Sequence, residues 1–182
     1  GHHYYWVGAP GYWQWIGSLV STLEVAPFFT MVIFTFVMTW KAGRNHPNKA
    51  ALLWSIGCSV MAFFGAGVWG FLHTLSSVNY YSHGTQMTAA HGHLAFFGAY
   101  VMLNLAMMAY AIPEIRGRQP FNQWLSIASF WLMCTAMSVM TFALTFAGVL
   151  QVHLQRVLGE SYMAVQDQLA LVRIEHAVLF QE

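Results

Sequence analysis

The sequence predicts an all-α protein, a polytopic bundle of membrane-spanning helices with four full spans and a partial fifth. Three observations predict it. Of 182 residues, 58% are hydrophobic and only 7% are charged, where a soluble domain carries about a quarter. The apolar residues fall into four segments, each long enough to cross about 30 Å of hydrocarbon, which takes roughly 20 residues. Trp and Tyr gather at the segment edges, where headgroups lie: Trp6, Trp13 and Trp15, then Trp40, then Tyr80 and Tyr81.

The first span is expected over residues 12–40. Pro27 lies inside it and frees the carbonyl near Leu23, so a kink is expected there. The second is expected over 50–72, the third over 87–112 and the fourth over 124–150. A partial fifth is expected over 168–180, where Arg173 and Glu175 interrupt the apolar run. Together these make one transmembrane domain over 1–182. The first residues carry no basic region or cleavage pattern of a signal peptide. Both ends read as interior to something larger, and a fragment open at both ends is expected. Lys41, Arg44 and Lys49 lie in the first loop and Arg116 and Arg118 in the third, whereas residues 73–86 hold no Lys or Arg. The positive-inside rule then makes loops one and three cytoplasmic and puts the N-terminus outside.

A net charge of +1 gives no support for nucleic acid or another polyanion as partner. Cys58 and Cys134 lie far apart in apolar runs without CxxC spacing, as small buried hydrophobes do.

Histidine is costly in a bilayer, so its placement carries the chemistry. His91-Gly92-His93 opens the third span. Residues i and i+2 on a helix lie about 200° apart, so these two imidazoles face opposite sides and cannot share one metal. Each can hold a different centre. His2-His3 lead into the first span, which also enters from outside, so all four imidazoles are expected near one depth. Two haems and a further metal ion fit that arrangement. Gly92, with Ala89 and Ala90 before it, leaves room for a flat macrocycle.

Glu24 is the acidic residue within the first span, and a carboxylate there costs about 2.5–3.5 kcal/mol on insertion scales. Burial would raise its pKa, as suits a residue that passes protons. Ser21, almost one turn earlier, is placed to share its face. In the polar stretch 73–86, expected to be an external loop, His73, Thr74, Asn79, His83 and Gln86 can hydrogen-bond carboxylates such as haem propionates.

Longer ordered stretches then carry a resemblance: 67–75 and 78–100, with supporting pieces at 1–6, 21–29 and 46–50. Over residues 1–150 the chain resembles the haem–copper oxidase superfamily and, within it, the large catalytic (cytochrome b) subunits of bacterial nitric oxide reductases. The resemblance implies part of a larger oxidase-type bundle in the bacterial inner (cytoplasmic) membrane, with metal sites toward the periplasm. It implies that His91 is the proximal ligand of a high-spin haem b, that His93 is one axial ligand of a low-spin haem b, and that His2 and His3 hold a non-haem iron. Glu24 would match a buried glutamate implicated in proton supply, with Ser21 and Thr74 near it. The implied reaction couples two NO to nitrous oxide and water, with electrons from a cytochrome c subunit or quinol. The remaining iron ligands and the second axial ligand would lie upstream, so this polypeptide alone is expected to be inactive. The rival readings are an oxygen-reducing member with copper beside the haem, an electron-relaying membrane cytochrome b, and a haem-free membrane protein. An oxygen reductase would carry a Lys in the span after the HH pair, where this chain has Glu24.

Overall fold

A computed structural model describes residues 2–42 and 46–168. Among them are four helices long and apolar enough to cross a membrane, Gly11–Lys41, Lys49–Thr74, Gln86–Ile115 and Gln123–Val157, and no strand. Each contains a segment predicted from hydropathy. Apart from Gln168, the partial fifth span lies outside the described residues.

The first span breaks where Pro27 requires it. Helix Gly11–Leu23 gives way to Val25–Ala42 at Glu24, whose N–H turns back to Ser21 O at 3.2 Å. Proline has no N–H with which to meet the carbonyl four residues earlier, and that carbonyl is Leu23's.

The second span begins at the N-cap Asn48, whose side chain accepts the Ala51 N–H. The same Asn48 donates to Ala109 O at 2.8 Å and accepts from Gln123 Nε2, while Gln123 Oε1 accepts the Ala50 N–H. One polar knot thus ties the starts of the second and fourth spans to the end of the third, on the side of the basic loops. At the other side, Gln151 Oε1 accepts the Gln86 N–H and fixes the start of the third span against the fourth.

Between these knots the core is Trp54, Cys58, Phe97, Met102, Ala106, Phe130 and Cys134. Trp54 meets Phe130 edge-on, with ring centroids 5.1 Å apart. The second span is the central one: 44% of its apolar window is buried, against 6% for the first. The second and third spans touch backbone to backbone at two glycines. A Cβ at Gly65 would strike Leu94 and Ala95, and one at Gly98 would strike Met61 and Ala62. Small residues permit this approach, which lets apolar helices pack without a hydrophobic drive between them.

Residues 73–86, expected as a solvated loop, are largely helical. The second span runs through Thr74, Leu75 is extended, and a short helix follows at Ser76–Ser82. His73, Thr74, Asn79 and Ser82 are buried. The reason is tertiary: the N-terminal residues fold over this segment and use its polar groups.

Candidate metal centre

Residues His2–Trp6 form a single 3-10 turn docked on the first span and on the end of the second. Four hydrogen bonds hold it, one of them from Gln14 Nε2 to Tyr5 O at 3.3 Å. The His2 N–H donates to Ser21 Oγ at 3.0 Å, the Tyr5 hydroxyl to Thr74 O at 2.6 Å, and the Trp6 indole to Asn79 Oδ1. Asn79 in turn donates to His73 O at 2.8 Å. These bonds, with the ring contacts of Tyr4 on Trp13 and of Trp6 on Tyr80 and His83, hold the turn down.

Docking the turn brings four imidazoles together. Ring centroids are 4.4 Å apart for His2 and His3, 5.9 Å for His2 and His91, 6.1 Å for His2 and His73, and 4.8 Å for His73 and His91, the last pair nearly parallel. His2 and His73 are buried, and His3 is exposed. The cleft between them measures about 90 Å³ and is completed by Trp6, Asn79, His83 and Thr88.

Three of the histidines have their tautomer set by the backbone. His91 Nδ1 lies 2.8 Å from Gly65 O, His73 Nδ1 2.8 Å from Trp69 O, and His93 Nδ1 2.8 Å from Ala89 O. A carbonyl only accepts, so each Nδ1 carries the proton and each Nε2 keeps its lone pair. That is the arrangement of a metal-ligating imidazole, whose second nitrogen is held by an outer partner.

The carbonyl that holds His91 is made available by a defect in the second span. Residues Phe63–Val68 form a π-helical turn, which ends with the Trp69 N–H on Phe64 O, five residues back. The α-helix resumes at Trp69, and the carbonyl skipped in the change of spacing is Gly65's. It faces the third span at the glycine where the two backbones meet, and His91 takes it. His93 uses the carbonyl four residues earlier on its own helix and is exposed. The two rings therefore leave the third span on different sides, as the HxH spacing requires. Beside His93 lies an open apolar groove with Ala89, Gly92 and Phe96, and a Cβ on Gly92 would meet nothing within 4 Å.

Both ring nitrogens of His2 and Nε2 of His73 are buried with no hydrogen-bond partner among the described residues. Burial, followed by the neighbouring His3, His91 and His73, pushes the His2 imidazole down to about 3. It is therefore neutral at physiological pH and a competent donor to a metal.

Unpaired imidazole nitrogens of His2 and His73 border one cleft and could serve as donors to a metal ion. The shell is not closed: no three of the described His, Cys, Asp and Glu side chains form a full metal site. For a haem, the two faces of the third span differ. The groove at His93 is open to a macrocycle. The cleft at His91 offers the right nitrogen but takes only an ion or small molecules, and a macrocycle there requires the His2–Trp6 turn to move outward.

The other predicted residues are placed differently from expectation. Glu24 is exposed, not buried. It sits at the break in the first span, which packs along one narrow stripe and leaves its other faces uncovered. Ser21 is buried, but it accepts from His2 and does not pair with Glu24. The Thr74 hydroxyl donates to Phe71 O and meets Thr22 Oγ1, so its hydrogen is not free for an external carboxylate; the Asn79 amide oxygen accepts from Trp6 and its NH2 gives one hydrogen to His73 O. His83 is exposed and stacks on Trp6 at 4.9 Å. The residue that sequence reasoning misplaced is His73. Its signal was depth: it closes the second span on the side from which His91 opens the third.

Four apolar spans with imidazoles clustered at one end define a multi-pass membrane protein. The chain belongs to the cytochrome c and quinol oxidase polypeptide I family, which matches residues 1–179 and lies within the haem–copper oxidase superfamily. It is 52% identical to a nitric oxide reductase subunit of Stutzerimonas stutzeri, across 94% of this chain and 38% of that protein. It is 26% identical to the cbb3-type cytochrome c oxidase subunit CcoN1 of the same organism, across 82% of this chain and 34% of that one. To cytochrome c oxidase subunit 1 of Cereibacter sphaeroides it is 28% identical, across 81% of this chain and 25% of that one. The chain thus spans between a quarter and two-fifths of the length of these relatives.

Proposed function

We propose that this chain is the ligand-bearing portion of a nitric oxide reductase of the bacterial inner membrane, which reduces two NO, with two electrons and two protons, to nitrous oxide and water. The observation that carries the proposal is His91: its Nδ1 is anchored by the π-turn carbonyl of Gly65, and its ring faces His2 across a shared cleft. The 52% identity to a nitric oxide reductase subunit supports the choice of substrate.

In this reading His2 and His3 hold a non-haem iron, and His91 holds a high-spin haem b. His93 is one axial ligand of a low-spin haem b on the opposite side of the same helix. When bound, the haem and non-haem iron supply the electrons and the coordination positions that NO coupling needs. The polypeptide supplies the rest. Gly65 and Ala89 fix the two imidazoles by their Nδ1 protons, so the ligand on each face needs no reorganisation. The His2–Trp6 turn, held by Ser21, Thr74 and Asn79 and displaced outward when a haem takes His91, carries its imidazoles on the His91 face. Glu24, on the uncovered face of the first span, holds a proton for transfer once further spans of the full-length protein cover it. Electrons enter from a cytochrome c subunit or quinol. In this reading the basic loops face the cytoplasm and the metal end faces the periplasm, as the positive-inside rule supports.

The test is His2→Ala in the full-length protein. The expected result is loss of non-haem iron and of NO reduction, by at least a thousandfold, with both haems retained. Retained iron would show that His2 is not a ligand. The relatives named as cytochrome c oxidases support a second reading, oxygen reduction with copper in place of iron, and metal analysis of the same sample decides between them.

A further inference from the structure

The end of the bundle opposite the histidine cluster holds a groove that the proposed reaction does not use. It lies between the first and second spans, where they meet the first basic loop, and measures about 420 Å³. Its lining residues all fall between 34 and 55, so they belong neither to the His2–Trp6 turn nor to the metal-bearing ends of the spans. The groove is graded along its length. Phe34, Met38 and Leu52 make its wall apolar, and Phe34 precedes Lys41 by seven residues, about 10 Å along the helix. Thr39 and His46 line the end nearer the loop.

Most hydroxyls here are already committed. Ser55 donates to Ala51 O and Ser59 to Ser55 O, so Thr35 donates its hydrogen to Ser59 Oγ at 2.7 Å and ties the two spans together. His46 is held in place by the Asn48 backbone, its Nδ1 lying 3.1 Å from the N and 3.2 Å from the O, and by Tyr110, with ring centroids 6.1 Å apart. A neutral ring that accepts the Asn48 N–H at Nδ1 donates from Nε2. The surrounding charge has one sign. Residues 41–49 and 114–118 hold five of the chain's seven Lys and Arg residues and one acid, Glu114. Lys41 and Lys49, on the helix ends that flank His46, are exposed.

We propose that this groove binds an anionic phospholipid. The phosphate accepts from His46 Nε2 and Thr39 among the basic residues, and one acyl chain lies along Phe34, Met38 and Leu52. A basic pocket between spans is the arrangement that suits such headgroups, and the apolar inner wall suits a chain rather than a free anion. The lipid would pin the first span, which buries little against the others, to the second at the end away from the metals. The inference stands apart from the proposed reaction.

The test uses the full-length protein, stripped of lipid in detergent and titrated with phosphatidylglycerol, with bound lipid counted by native mass spectrometry. The double variant His46→Ala/Thr39→Val is expected to bind one phosphatidylglycerol fewer per chain, or to bind it at least about tenfold more weakly, with haem absorbance unchanged. Lys41→Gln, a surface change that keeps the test decisive if the double variant does not fold, is expected to weaken binding about fivefold. A cryo-electron microscopy map in phosphatidylglycerol nanodiscs is expected to show a phosphate at His46 Nε2. Four results would overturn the inference: another span of the full-length protein filling the groove, equal binding of phosphatidylcholine at this site, displacement by inorganic phosphate, or unchanged phosphatidylglycerol binding in the variants.

Discussion

His91 and His93 stand two residues apart on one helix and use the same device, a backbone carbonyl on Nδ1, yet they depend on the rest of the chain in opposite ways. His91 borrows its carbonyl from another span, at a glycine contact where the π-turn of the second span leaves that carbonyl free. His93 borrows from its own preceding turn and needs only that the helix form. One imidazole is positioned by tertiary structure and the other by local structure. A single helix can thus serve two centres whose geometries respond to different mutations.

The largest separation between them is expected from Gly65→Val. The added carbons would meet the backbone of Leu94 and Ala95, so the two spans must part. Overpacking of this kind costs about 1–3 kcal/mol and displaces the acceptor of His91. Thermal unfolding in detergent should show the lost stability. Absorption spectra of the full-length protein should show the CO-binding haem disturbed and the low-spin haem at His93 little changed. Equal damage to both haems would break the distinction.

A smaller effect is expected from Asn79→Ala. It leaves the Trp6 indole and the His73 carbonyl without partners, at about 1–3 kcal/mol, and loosens the turn that carries His2 and His3. Non-haem iron occupancy should fall while both haems stay, by metal analysis against haem absorbance.

Acid should act on the same side of the comparison. Folding holds the His2 imidazole at about 3, below its ordinary value of 6.5. The undocked turn therefore binds the proton more readily, and docking weakens as pH falls through 6.5 toward 3. In metal-free protein, the hydrogen-exchange protection factors of residues 2–6, corrected for the intrinsic pH dependence of exchange, should fall over that range, while those around His93 stay level. The smallest effect belongs to Gly92→Ala. Open space surrounds that position, and Ala is the better helix former by up to about 1 kcal/mol, so stability should hold or rise slightly. A marked loss would show that another part of the full-length protein packs against Gly92.

The same division governs what could be read from sequence. The four spans, the break at Pro27 and the opposed faces of His91 and His93 follow from hydropathy, a missing N–H and helical periodicity, all local properties. The π-turn does not, since a one-residue change in hydrogen-bond spacing leaves no mark in composition. Nor did the burial of His73 and Asn79. Thr74, Ser76, Ser77 and Asn79 look like a loop until the indole and hydroxyl of Trp6 and Tyr5 arrive to use them. Glu24 shows the reverse case. Its cost in a bilayer suggested burial, but the first span meets the other three along one stripe, and the carboxylate lies off it.

The central claim is that His2 and His3 hold an iron facing a haem on His91. Its most direct test is the haem and metal content of the full-length protein together with a reduced-plus-CO difference spectrum. The account predicts two b haems and one non-haem iron per chain, with one haem binding CO. Copper in place of iron, or two haems that both refuse CO, would contradict it.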